Sequence, residues 1–137
     1  MMWRLARLSF AAALLACLSS CSLFDSGVEW RGGPYALVWT DTDADTSLSR
    51  DLGGGSWIGR VDATVFAVGR NEQYVVAKQH PAGDRDRTDY FIVDALRDTD
   101  MANPSDVVLG PLSKEEYDKK ALELTLPEFS RVLHSLE

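Results

Sequence analysis

In YALVW, residues 35–39, apolar positions alternate so that Tyr35, Leu37 and Trp39 share one face of an extended chain. VDATVFAVG, residues 61–69, sets Val61, Ala63, Val65 and Ala67 on one side and Phe66 and Val68 on the other. Apolar side chains on both faces predict a central strand. Gly69 and Asn71 suit a tight turn before QYVVAKQ, so residues 61–79 are expected to form a β-hairpin. DYFIVD, residues 89–94, predicts one more strand, reached through the polar loop HPAGDRDRT. Hairpin strands with short connections favour an antiparallel sheet, here of four to five strands.

The period changes near the C-terminus. Ser113, followed three residues later by Glu116, is a capping box that opens a helix running from Lys114 to about Leu124. Pro127 at a first-turn position then restarts the pattern, with Leu126, Phe129, Leu133 and Leu136 on one stripe. The expected fold class is therefore α+β: one antiparallel sheet with two C-terminal amphipathic helices on one face, formed by residues 35–137. Residues 21–34, with Gly, Ser and charge but no sustained period, read as a tether.

The N-terminus follows different rules. Arg4 and Arg7 precede an apolar stretch from Leu8 to Leu18, and Ser19 and Ser20 follow it. A basic start, a short apolar core and small residues make a secretory signal over residues 1–20. Eleven residues, Leu8 to Leu18, are too few to cross roughly 30 Å of hydrocarbon as a helix. The junction Leu18-Ser19-Ser20-Cys21 resembles the bacterial lipobox, in which Leu, two small residues and Cys direct lipid attachment and cleavage. The other register, Leu14-Leu15-Ala16-Cys17, has a bulky Leu where a small residue is preferred. An ordinary secretory signal with two incidental cysteines is the plain alternative. The resemblance implies that Cys21 is the lipid-attachment residue and that Cys17 leaves with the signal. No thiol then remains for a disulfide or a thiolate metal site. Two or more acyl chains hold a protein firmly on a bilayer. In a bacterium with two membranes, Ser22 rather than Asp after the lipidated Cys implies an outer-membrane lipoprotein, facing the periplasm or the cell surface.

Charge narrows the partners. Residues 1–20 hold two of the 14 basic residues and none of the 21 acidic ones, so residues 21–137 carry 12 against 21, a net −9. That argues against nucleic acid and against electrostatic adhesion to anionic lipid. Asp41, Asp43 and Asp45 have the alternate spacing of Ca²⁺ ligands, but Thr46 and Leu52 stand where a calcium loop needs Gly and Glu. The segment reads as a solvated acidic turn. GGGSWIG, residues 53–59, lacks the Lys of a phosphate-cradling loop and reads as a flexible loop, with Trp57 packed over the sheet. His80 and His134 are the only histidines, and neither sits in a hydrolase or metal motif. No cofactor, metal site or catalytic residue is expected.

VFAVGRNEQYVVAKQHP, YFIVD and GPLSKEEY, over residues 61–117, are similar to small secreted or lipid-anchored bacterial proteins of unknown function. Three roles follow from these observations. The first is an anchored module that binds another envelope protein or an incoming toxin, which requires an exposed apolar or aromatic patch on the sheet face the helices leave open. The second is a small hydrolase using His80 with Asp84, Asp86 or Asp89. The third is a structural spacer of the envelope.

Overall fold

The computed structural model describes residues 25–137; the signal segment, Cys17 and Cys21 lie outside them. Nine strands form two antiparallel sheets. The first sheet is a meander of β1 (Ser26–Gly32), β2 (Tyr35–Thr40), β3 (Ser47–Gly53) and β4 (Ser56–Val61). The second contains β5 (Val65–Arg70), β6 (Tyr74–Gln79), β7 (Asp89–Asp94), β8 (Val108–Leu112) and β9 (Arg131–Val132), in the order β8-β7-β6-β5-β9. Two short helices, α1 (Pro104–Val107) and α2 (Lys114–Glu123), accompany it.

The second sheet is buried on both faces, and this is why its strands read as apolar runs. In β6, Val75 and Ala77 point into the core shared with Tyr35, Leu37, Leu48 and Val61 of the first sheet. The alternate residues Tyr74 and Val76 pack on the other side with Ile92, Leu112 and Tyr117 of α2. The layers are thus sheet, sheet, then α2 with the C-terminal segment. Ser113 Oγ accepts from the Glu116 N–H at 3.1 Å, which starts α2 where the sequence placed it.

Strand expectations at residues 35–39 and 89–94 match β2 and β7, and the hairpin expected over 61–79 is β5 and β6 from Val65 onward, whereas Val61 ends β4 in the other sheet. Strands β1, β3, β4 and β8 add to them, so two sheets stand where one was expected. Residues 26–32, read as tether, are β1, with Val28 opposite Val38 and Trp30 opposite Leu37. The segment read as a flexible glycine loop is the β3–β4 turn, in which Gly54 and Gly55 take φ of 62° and 81°, together with most of β4.

The second C-terminal helix is the clear correction. Residues 125–130 form no helix, and β9 pairs with β5, Ala67 opposite Val132 and Val68 opposite Arg131. The same stripe is buried by another route: Leu133 and Leu136 enter the inter-sheet core, while Leu126 and Phe129 pack by Tyr117. An open strand edge on β5 offers backbone hydrogen bonds that a surface helix would leave unused.

Candidate functional site

β7 leads into the loop Ala95–Asn103, which lies over the end of the first sheet. Asp98 anchors it. The Asp98 carboxylate accepts from Arg60 Nη2 at 2.8 Å and Nε at 2.9 Å, and from the Tyr35 hydroxyl at 2.7 Å. Both the Asp98 and Arg60 side chains are fully buried. Arg60 Nη2 also donates to the carbonyls of Thr99 at 3.0 Å and Ala102 at 3.4 Å, so one guanidinium satisfies several acceptors of the loop. Arg50 adds an outer tie, donating to Asp100 at 2.9 Å from above the Tyr35 ring.

These contacts set the ionisation of the group. Burial alone would raise the Asp98 carboxyl, but its bonds from Arg60 and Tyr35 outweigh that and hold it below the ordinary carboxylate value. Burial, reinforced by the hydrogen bond to Asp98, raises the Tyr35 phenol above its usual value.

Above this clamp the loop exposes apolar side chains. Leu96 is 71% and Met101 92% exposed. Beside it lies an open groove of about 300 Å³, floored by Tyr74, Ile92, Val107 and Leu124 and rimmed by Asp94, Arg97 and Asp106. Leu109, at the groove, is also exposed. The Asn103 side chain accepts from Ser105 N–H at 3.4 Å, and Pro104 takes the first position of α1, so the wall of the groove begins where the loop ends. A held loop with apolar tips beside a groove of mixed charge can seat a protein surface.

The binding reading expects the patch on the sheet face left open by the helices. That face is the outer side of the first sheet. The register places Val28, Val38 and Trp57 there, opposite in facing to Tyr35 and Leu37. Trp57 is half-buried and covered by the Arg31 guanidinium at 5.1 Å, as its packing over the sheet requires. On that face Val28 is 43% exposed, less than Leu96 and Met101 of the loop; Leu122 of α2, at 90%, is a further exposed apolar side chain.

His80 is buried, not loop-exposed. Its ring stacks on Phe66 at 4.1 Å, and Nδ1 lies 2.8 Å from the Arg87 carbonyl, which can only accept. The proton is thus on Nδ1, and Nε2 is buried with no partner. The three candidate carboxylates go elsewhere. Asp84 accepts from the Asp86 N–H at 3.0 Å, Asp89 takes Arg87 at 3.2 Å, and Asp86 is exposed. The structure does not bring them to the imidazole. His134 is exposed and contacts Glu137 at 2.9 Å.

Asp43–Asp45 form a 3-10 turn in which Thr42 Oγ1 donates to Asp45 at 3.2 Å, and the three carboxylates of 41, 43 and 45 are splayed into solvent. Among the described residues, no three His, Cys, Asp or Glu side chains come together to hold a metal ion, and no helix is long and apolar enough to cross a membrane.

Sequence reading missed the Arg60–Asp98 clamp. The one signal for it is a charged Arg60 between Ile58 and Val61 in an otherwise apolar strand.

Residues 32–132 match a family described as a protein of unknown function, DUF3997. No curated protein and no solved structure matches.

Proposed function

For a chain that belongs to the DUF3997 family, we propose a non-catalytic role as a lipid-anchored bacterial envelope protein that binds another protein through the Ala95–Asn103 loop and its groove. The observation that carries this reading is the pairing of a rigid base with exposed tips. Met101 and Leu96 are held out to solvent by a loop whose carboxylate anchor is fully buried. Ordering a binding loop in advance lowers the entropy cost of docking. An apolar filling at Arg60 and Asp98 would serve stability as well as a buried ion pair, so the pair is better explained by a need to fix this loop in one place.

The groove rim carries Asp94 and Asp106 against Arg97, while Asp100 of the loop is paired with Arg50. With a net charge of −9 over residues 21–137, the complementary partner presents an apolar surface bordered by basic side chains. The anchor at Cys21 and the outer-membrane address rest on the lipobox resemblance.

A photo-crosslinking residue placed at Met101 in intact cells tests the binding reading, with Lys119 on the exposed side of α2 as the comparison site. One discrete adduct is expected from position 101 and none from 119. Identical adduct patterns from both positions, or none from 101, would remove the reading.

A further inference from the structure

Resting on the lipidated Cys21 proposed above, we infer that the domain stands end-on at the bilayer, with the acidic Asp41–Asp45 end toward the headgroups and the Ala95–Asn103 loop pointing away. The leash is short. Asp25 is already fixed, because its carbonyl accepts from the Asp41 N–H at 2.7 Å. Four Cα steps separate Cys21 from Asp25, and at full extension they span about 14 Å.

The strands then give the molecule a direction. β1 begins at Ser26, opposite Thr40 at the end of β2. The same end holds Thr46, whose carbonyl accepts from Val65 N–H at 2.8 Å, and Thr64, which exchanges backbone bonds with His80 at 2.8 and 3.2 Å. The other end holds the turn at Gly33 and Pro34 and the Tyr35–Asp98 bond. The five Cα steps of β2 alone separate the two ends by roughly 17 Å. Met101 is thus carried beyond the length of the leash.

Charge decides between standing and lying down. With 21 acidic against 12 basic residues outside the signal, the domain as a whole is repelled by an anionic surface. Repulsion acts over about one Debye length, roughly 8 Å in physiological salt. The leash keeps the Asp25 end within about 14 Å of the bilayer, and repulsion then favours the orientation that brings the least further surface into that range, which leaves the loop end outermost. The partner surface is the lipid headgroup layer, met through the tether and not through affinity.

The test uses the full chain produced in bacteria, purified in detergent and reconstituted into vesicles of phosphatidylethanolamine and phosphatidylglycerol with a headgroup-linked quencher. A thiol-reactive fluorophore is attached through Thr42→Cys or Met101→Cys, both exposed positions. Quenching is expected to be several-fold stronger at 42 than at 101. A flexible insert of about twelve residues after Ser22 adds about 20 Å of reach and should weaken quenching at 42. Equal quenching at the two positions, or stronger quenching at 101, overturns the orientation while leaving the anchor intact. The parent chain separates the two readings, since a lipidated Cys21 has no thiol; fluorophore attached at Cys21 of the parent overturns the anchor, and the orientation with it.

Discussion

Asp98 is the residue on which the loop depends. Its carboxylate is fully buried against Arg60, and Tyr35 donates the remaining strong bond. Removing one member of such a pair leaves an uncompensated buried charge, at a cost of about 3–5 kcal/mol. Asp98→Asn should therefore lose that much in urea unfolding at neutral pH. The sign of the pH dependence follows from the depressed carboxyl. The folded protein binds this proton less readily than the unfolded chain, whose carboxyl titrates near 3.9. The stabilisation is complete above that value and is lost as pH falls through the lower, folded one. The gap between parent and Asp98→Asn should close in the same acid window. A gap under about 1 kcal/mol, below the range for a broken buried pair, or one that persists in acid, would contradict the clamp. Tyr35 sets the opposite limit: its raised phenol stabilises the fold until pH climbs past the unfolded value of about 10.

At the scale of elements, the C-terminal strap divides the account from a helical alternative. Gly69 on β5 has the Glu128 carbonyl where a Cβ would stand. Gly69→Ala must push the strap off the edge, breaking the Leu133 N–H bond to the Phe66 carbonyl at 2.7 Å and drawing Leu133 from the core. Hydrogen exchange should show the Leu133 amide losing protection while amides of β6 keep theirs. Unchanged protection at Leu133 would mean that the strap does not lie on Gly69. What the sequence revealed depended on burial. β5, β6 and β7 were legible because both of their faces are packed, so apolar residues crowd them. β3 was not, because Arg50 takes an inward position opposite Tyr35 while Ser47 and Ser49 occupy the outer ones. β4 was hidden by Gly59 and the glycine turn before it. The Leu126–Leu136 stripe has helical spacing, yet the unpaired edge of β5, a long-range feature, decides its form. The clamp was out of reach for the same reason: Arg60 and Asp98 are 38 residues apart, and an Asp in a polar loop reads as solvated.

For the whole molecule, the strands give a polarity and the leash gives it a direction. The Asp41–Asp45 turn, the His80 corner and the first residue of β1 share one end, while the clamped loop and the mouth of the groove lie toward the other. A domain displayed in this way needs an anchor at its N-terminal side, and Cys21 is the residue proposed to supply it. Signal cleavage for lipoproteins uses a short apolar helix, small residues at the cut and a thiol at the new N-terminus. Leu8 to Cys21 contains these in order. The most direct measurement is metabolic labelling of the full chain with a fatty-acid analogue, in the parent and in Cys21→Ser and Cys17→Ser. The account predicts labelling in the parent and in Cys17→Ser, with an unlabelled, unprocessed precursor in Cys21→Ser. Labelling that survives Cys21→Ser, or that is lost in Cys17→Ser, would contradict it.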